Sequence, residues 1–229
     1  TVTMTFVTPV DSPFVQQFTL KKMIEEMKAG NLEIVQPSYD QTDGHPLLLN
    51  ANVLKLILEH DGTMGLKGAI SKIEKFKKLN FADPGIIMDA DNITAYFKLL
   101  EYAQHKNCPS VKLCEEIQNY VNMSDSVKNH CNKVAHVALN ICGKLSEKGI
   151  KLDQNIIIAA SMLHDIAKGN PMHAKVGAMW LKDMGYNEIS EIVGEHMELE
   201  SISDTLTEKE VVFLADKIVQ GDKLVLINE

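Results

Sequence analysis

Short apolar runs and amphipathic stretches alternate along the first half of the chain. At the start of the chain, apolar residues alternate with threonines, which predicts a β-strand. The apolar residues are Val2, Met4, Phe6 and Val7. Further strands are predicted at 34–35 (ended by Pro37), 47–49 and 86–88, and helices at 19–29 (capped by Thr19), 52–60, 70–78 and 93–104. Because strands alternate with helices, the pattern indicates an α/β layer with a mostly parallel sheet.

The second half of the chain has the pattern of helices alone. Apolar residues recur there at helical spacing, which predicts helices at 111–123, 127–147 (capped by Ser124 or Asp125), 154–165 (capped by Asp153), 173–184, 189–197 and 208–219. Asn107-Cys108-Pro109-Ser110 punctuates the junction between the two patterns. We therefore expect an α/β unit over residues 1–107 and an all-helical unit over residues 108–229.

Composition and charge narrow the class of protein. A hydrophobic content of 45% and a charged content of 24% are ordinary for a globular domain, and the net charge of −8 argues against non-specific nucleic-acid binding. No apolar run approaches the roughly 20 residues of a membrane span, and we expect no signal peptide. The four cysteines lack a CxxC pair, which favours free thiols in the cytoplasm. We expect a cytoplasmic protein without nucleic-acid or membrane partners; whether it forms a homo-oligomer is left open.

Six side chains that could bind a metal lie on apolar helical faces of the second half: His130, His164, Asp165, His173, His196 and Asp216. Each one alone is more often an ordinary core or surface residue than a ligand. Six of them on five consecutive helices are harder to explain, because a helical bundle assembles metal sites from facing helices. The adjacent pair His164 and Asp165 also ends a strongly apolar run, where unpaired polar groups are costly. Imidazole nitrogens with carboxylate oxygens suit Zn, Mn, Fe, Co or Ni.

The run Met-Leu-His-Asp-Ile-Ala-Lys at 162–168 stands between His130 and the run Leu-Ala-Asp-Lys at 214–217. This order and spacing resemble the HD-domain metal-dependent phosphohydrolases over residues 124–222. The resemblance implies a helical fold and a divalent metal (Mn, Fe, Co, Ni, Zn or Mg). It also implies that His130, His164, Asp165 and Asp216 hold this metal, and that His173 and His196 bind a second metal or contact the phosphate.

The same resemblance suggests roles in hydrolysis of a nucleotide or another small phosphoester. Asp165 is the candidate to orient or deprotonate the attacking water, and His173 or His196 is the candidate to protonate the leaving oxygen. Lys168 could contact the phosphate as a point charge. The alternative interpretation is that Lys168 is a solvated lysine that interacts with the helix dipole.

Carboxylates follow two predicted strands of the first half: Asp11 after the first strand, and Asp89 and Asp91 after the strand at 86–88. Ligands of open α/β sheets sit outside the carboxyl ends of strands, where such side chains could hold Mg²⁺ against a nucleotide phosphate. The alternative is that Asp11 caps a turn before Pro13 and Asp91 caps the following helix.

Several runs of the first half resemble the second half of the molybdenum-cofactor nucleotidyltransferases, which are MobA-like NTP transferases. These are Phe-Val-Thr-Pro-Val-Asp-Ser-Pro-Phe at 6–14, Pro-Ser-Tyr at 37–39, Gly-His-Pro at 44–46 and Gly-Ile-Ile-Met-Asp-Ala-Asp at 85–91. The resemblance implies that Asp11 binds metal and that Asp89 and Asp91 lie near an active site. The glycine-rich loop with which that family begins has no counterpart in this sequence, and the sequence opens directly in a predicted strand. We therefore expect a truncated α/β layer, a segment preceding Thr1, and no nucleotide transfer by the chain as given.

Three functions follow from these patterns. The first is a metal-dependent phosphohydrolase whose site lies in the helical half. The second is a regulatory metal- or nucleotide-binding module that binds metal without turnover. The third is a nucleotidyltransferase-type protein in which the HD-like domain is accessory.

Overall fold

A computed structural model of the chain describes residues 3–199, 205–221 and 223–225. Contacts divide the chain into two compact units, Thr1–Ala103 and Gln104–Glu229. The first combines a small sheet with helices, and the described residues of the second are helical apart from a short hairpin, so the predicted fold class is confirmed.

Five strands lie in the part of the first unit that the structure describes. They are β1 (Met4–Val7), β2 (Ile34–Tyr39), β3 (Thr42–Asp43), β4 (Leu47–Asn50) and β5 (Phe76–Asn80). Its helices are α1 (Gln17–Ala29), α2 (Ala51–Glu59), α3 (Gly65–Ile70), a 3-10 helix (Pro84–Ile87) and the start of α4 (Ile93–His105). Ile34, Leu47, Leu49 and Val53 form a buried apolar cluster between the sheet and helix α2.

The sheet is mostly antiparallel, so the predicted parallel sheet is wrong. Strand β4 pairs antiparallel with both β1 and β2, β3 pairs antiparallel with β2, and β5 alone among the described strands pairs in parallel. The cause is a tight hairpin between β2 and β3, where Asp40 and Gln41 both have positive φ (47° and 64°). Such a two-residue turn reverses the chain at once. Without glycine at either position, the sequence carried no clear signal for it.

Strand β2 continues through Pro37, which was predicted to end it. The predicted helix at 70–78 is also wrong, because α3 ends at Ile70 and residues 76–80 form β5. Strand β5 pairs with β2 over its whole length, from Ile34 opposite Phe76 to Ser38 opposite Asn80. This pairing joins residues about forty positions apart, so local periodicity did not reveal it.

The predicted strand at 86–88 is replaced by the 3-10 helix, because Asp83 caps its first turn by accepting a hydrogen bond from Gly85 N (3.0 Å). Asp83 is itself buried and also accepts from Thr19 Oγ1 (2.6 Å) and Gln16 N (2.9 Å). Thr19 therefore lies inside α1 and not at its cap, which is Gln16. Burial raises the pKa of Asp83, although these three hydrogen bonds oppose the shift.

The second unit contains α5 (Val111–Tyr120), α6 (Asp125–Glu147), α7 (Gln154–Leu163), α8 (His173–Asp183), α9 (Asn187–Gly194) and α10 (Glu208–Lys217). Two short strands, β6 (Val219–Gln220) and β7 (Lys223–Leu224), form a hairpin that the prediction of an all-helical unit missed. Helix α7 is the centre of the unit, since α5, α6, α9 and α10 all contact it. Within the part of the chain that the structure describes, no helix is long and apolar enough to cross a membrane.

Candidate metal centre

The candidate site begins where the central helix α7 stops. Asp153 caps α7 by accepting from Asn155 N (2.8 Å) and Ile156 N (3.3 Å), as predicted, but the helix ends at Leu163, two residues earlier than expected. His164 and Asp165 follow in a tight turn, in which Lys168 N donates to Asp165 O (2.8 Å). Both side chains are almost completely buried, with exposed fractions of 0% for His164 and 2% for Asp165. The buried core helix thus delivers two polar side chains into the interior of the unit.

The first group of candidate ligands joins three helical regions. His130 comes from α6 and Asp216 from α10, and His164 follows α7. Asp216 Oδ1 lies 3.1 Å from His130 Nε2 and 3.4 Å from His164 Nε2. One ligand atom from each of the three side chains lies within 4.8 Å of the others, so a single ion could contact all three.

The second group shares His164 with the first. It adds Asp165 and His196, and again one ligand atom from each residue lies within 4.8 Å of the others. His196 Nε2 lies 3.5 Å from Asp165 Oδ1, and His173 Nε2, from the first residue of α8, lies 3.1 Å from the same oxygen. His196 was predicted inside a helix, but it follows the end of α9 at Gly194. The structure therefore brings together all six side chains singled out in the second half of the sequence.

Backbone carbonyls fix the tautomer of three of these histidines. The Nδ1 atoms of His130, His164 and His196 lie 2.8, 2.8 and 2.7 Å from the carbonyl oxygens of Gly221, Ser161 and Val193. A carbonyl oxygen can only accept a hydrogen bond, so each Nδ1 must carry the hydrogen and donate it. In the neutral imidazole the lone pair is then on Nε2, the atom that faces the cluster. This is the arrangement by which proteins orient histidine ligands of a metal.

Several buried polar atoms of the cluster have no hydrogen-bond partner among the residues that the structure describes: His164 Nε2, Asp165 Oδ1, His173 Nε2 and His196 Nε2. Leaving one such atom unsatisfied costs about 1–3 kcal/mol, and four of them around one point need a common explanation. A divalent cation provides one, because it accepts the lone pairs of imidazole nitrogen and carboxylate oxygen together. The residues present therefore fit a metal.

The two carboxylates remain ionised in this environment. Burial alone would raise the pKa of Asp165, but the nearby His196, His164 and Lys168 outweigh it and hold that pKa well below its usual range. Burial likewise opposes ionisation of Asp216, but the adjacent imidazoles of His130 and His164 outweigh it and hold that pKa well below its usual range. Burial and the nearby Lys168 lower the pKa of His173, although Asp165 opposes the shift. His173 is therefore neutral near pH 7, which suits a ligand better than a proton donor.

Lys168 connects the cluster with solvent. Its Nζ lies 2.9 Å from Asp165 Oδ2, while half of its side chain is exposed. Lys168 lies in the turn after α7 and not on the helix. The alternative interpretation, in which it interacts with the helix dipole, assumed that it belongs to the end of the helix. A cation at the edge of a metal site can attract an anionic substrate.

The carboxylates singled out in the first unit are not gathered in the same way. Asp11 lies in a turn four residues after β1 ends, and Asp89 and Asp91 follow the 3-10 helix rather than a strand. Both groups of three or more candidate ligands found among the described residues lie in the second unit. The prediction that Asp91 caps α4 is wrong, because Asn92 Oδ1 accepts the hydrogen bond of Ala95 N (3.0 Å).

Sequence reasoning missed the groups that orient the candidate ligands. The three carbonyls could not be foreseen, since every residue has one. Gln118 could have been found, because it is a polar residue on the apolar stripe of α5, and it is buried. Its Nε2 donates to Met162 O (2.6 Å), two residues before His164. Gln118 thereby holds the last turn of α7, directly before the candidate ligands His164 and Asp165.

Comparison with protein families matches two regions of the chain. Residues 2–77 match the model of the MobA-like NTP transferase domain. Residues 127–220 match the model of the HD domain, and this stretch contains the whole cluster from His130 to Asp216. Comparison with curated proteins and with solved structures gave no match. The chain therefore carries an HD domain over residues 127–220, preceded by a region of the MobA-like NTP transferase type over residues 2–77.

Proposed function

We propose that the HD domain of this chain is a metal-dependent phosphohydrolase that acts on a nucleotide or another small phosphoester. The observation that supports this most directly is the set of buried Nε2 and Oδ1 atoms around His164 and Asp165 for which the described part of the chain offers no hydrogen-bond partner. Three of the histidines are held by carbonyls in the tautomer that a metal requires. A site built only for packing would have no reason to leave these atoms without partners.

The proposed metal ligands are His130, His164, Asp165 and Asp216. Two further histidines, His173 and His196, lie next to Asp165 in the same cluster. A bound divalent metal would lower the pKa of a water and neutralise charge on the phosphoryl group. Lys168 binds a phosphate oxygen at the exposed side of the centre. Asp165, which is ionised, orients the attacking water through Oδ1.

His173 and His196 are both candidates to protonate the leaving oxygen, and we assign them different roles. The lowered pKa of His173 means that this imidazole is rarely protonated near neutral pH. We therefore assign His173 to binding and orientation near the ester oxygen. His196 remains the candidate for the proton donor, a role in which its Nε2 carries a proton and does not ligate the metal.

The region of residues 2–77 supports a second, nucleotide-related role for the first unit. We propose that residues 1–107 and 108–229 are separate functional units, and that Asp11, Asp89 and Asp91 contribute to nucleotide or metal binding in the first. The match to the MobA-like NTP transferase domain favours this role. We also propose a cytoplasmic location without nucleic-acid partners, which the free cysteines and the net charge of −8 favour.

The test is phosphate release by the purified chain from nucleoside mono-, di- and triphosphates and from sugar phosphates. Each substrate is assayed with Mn²⁺, Mg²⁺, Co²⁺ or Ni²⁺ and with a chelator. Metal-dependent release that disappears with the chelator is the expected result. Bound metal without turnover of any phosphoester would favour the regulatory module instead.

A further inference from the structure

A hollow of about 600 Å³ lies beside the metal centre, between the start of α8 and the segment that follows α9. Its volume is within the range of roughly 300–1,000 Å³ that is usual for small-molecule sites. Met172 and Ala174 contribute to one wall, and Gly194, Met197 and Leu199 contribute to another.

His173 connects the hollow with the metal centre. Its imidazole lines the hollow, while its Nε2 lies 3.1 Å from Asp165 Oδ1. A phosphoester whose phosphate binds beside Asp165 and Lys168 therefore has room for its organic group on the other side of His173. The hollow is in the right place to receive the leaving group.

The lining of the hollow favours a flat, largely apolar group. Met172 is 73% exposed and Met197 is 50% exposed, so two thioether side chains are available for contact. Methionine adapts to irregular shapes and makes favourable contacts with aromatic rings. Lys175 and Glu198, also in the lining, supply a donor and an acceptor for the polar edge of such a ring.

The same lining disfavours further phosphate groups. Among the described residues of the lining, Lys175 is the one lysine, and Glu198 is an anion in the same hollow. The sequence contains no arginine, so the bidentate phosphate contacts that arginine provides are absent from this chain. A diphosphate or a triphosphate would bring about one or two additional negative charges, respectively, to a wall that is close to neutral.

We propose that this hollow binds the nucleoside of a nucleoside monophosphate, with the base against Met172 and Met197. This inference rests on the proposed phosphohydrolase function. In the reaction, the oxygen of water bonds to phosphorus and the ester bond to the nucleoside oxygen breaks. The water loses a proton, the nucleoside oxygen gains one, and the products are inorganic phosphate and a nucleoside.

The experiment compares two substrates in wild-type protein and in the double variant Met172→Ala and Met197→Ala. One substrate is a nucleoside monophosphate, taken in turn with each of the four common bases, and the other is glycerol phosphate, which has no ring. We expect KM for the best nucleoside monophosphate to rise about tenfold or more, because apolar contacts of this size discriminate by that factor. Turnover of glycerol phosphate should stay within about twofold. Met179→Ala is the matched control, because Met179 is an exposed methionine of α8 outside the lining.

The outcomes separate this inference from the proposed function. Metal-dependent hydrolysis with an equal loss for both substrates, or with no loss for either, would overturn the hollow assignment and leave the phosphohydrolase intact. If no phosphoester is hydrolysed, the proposed function fails, and equilibrium dialysis of the free nucleosides decides about the hollow. Binding that the double variant weakens would then support it, and absence of binding to the wild type would overturn it.

Discussion

At the scale of single residues, the metal centre is defined by which atom of each histidine is hydrogen-bonded to the backbone and which atom faces the cluster. In three histidines, Nδ1 donates a hydrogen bond to a backbone carbonyl and Nε2 faces the cluster. These are His130, His164 and His196. The residue types and their helical spacing were sufficient to single out these histidines and both aspartates. The tautomers were not predictable, because they depend on carbonyls whose position is set by the ends of α7 and α9 and by the hairpin at Gly221.

Metal binding should depend on pH through the histidines. The pKa values of Asp165 and Asp216 are lowered, so both carboxylates stay ionised from neutral pH down into the acidic range. Histidine ligands must be neutral, and protons compete for Nε2 as the pH falls, so the metal should be lost below about pH 6. Metal retained after dialysis at a series of pH values measures this. Occupancy that is unchanged down to about pH 4 would contradict histidine ligation.

Lys168→Ala should reduce catalysis without releasing the metal. Lys168 is proposed to bind the phosphate, and a hydrogen bond to a charged group contributes about 1.5–3 kcal/mol, so kcat/KM should fall by roughly 10- to 150-fold. Metal content and thermal midpoint should remain close to wild type. Lys182→Ala, at the exposed end of α8, is the control and should change nothing. Unchanged kcat/KM in Lys168→Ala would refute the phosphate role.

At the scale of elements, α7 positions the metal centre, because most of its surface is buried and it ends directly before His164. Its start was predictable from the Asp153 cap, and the starts of α8 and α10 were also predicted correctly. The strand β5, the 3-10 helix at Pro84–Ile87 and the hairpin of β6 and β7 were not predicted. The first depends on pairing with a distant strand, and each strand of the hairpin has only two residues, which is too short for a period.

Close packing of α8 against the turn after α7 provides a test at this scale. A Cβ added at Gly177 would lie 2.9 Å from Cγ2 of the buried Ile166, which follows Asp165. Gly177→Ala should therefore push α8 away from the turn, at a cost of about 1–3 kcal/mol in the free energy of unfolding. Because His173 is on α8 and Asp165 in the turn, the affinity for metal should fall as well. Thermal unfolding and metal titration measure the two effects.

Gly143→Ala is the matched control for that substitution. Gly143 lies on an exposed position of α6, and an added Cβ there would meet no atom within 4 Å. Alanine favours a helix over glycine by about 0.5–1 kcal/mol, so this variant should be slightly more stable and bind metal normally. If the two variants behave alike, the packing argument is wrong.

At the scale of the whole molecule, two compact units carry matches to two different families. The α/β-then-helical division was predictable, because strand and helix periodicities separate cleanly along the sequence. The direction of strand pairing was not, since it depends on the turn at Asp40 and Gln41. The sequence pattern pointed more clearly to the candidate ligands of the helical unit than to those of the first unit, because the former fall on apolar faces of consecutive helices.

Asp11→Ala should leave phosphohydrolysis unchanged. The candidate metal ligands found among the described residues all lie in the second unit, and Asp11 belongs to the first. We therefore expect kcat and KM for phosphate release to stay within about twofold of wild type. A large loss of activity in a folded Asp11→Ala protein would show that the two units act together.

The most direct test of the metal centre is the metal content of three proteins purified in parallel: wild type, His164→Ala and His136→Ala. His136 is an exposed histidine of α6 and controls for the loss of an imidazole elsewhere on the unit. Mass spectrometry of the metals, after reconstitution with Mn²⁺ or Ni²⁺ and removal of excess, should find close to stoichiometric metal in wild type and His136→Ala. His164→Ala should be folded, with unchanged helical circular dichroism, and should contain almost none. Equal metal in all three proteins, or none in the wild type, would contradict the central claim.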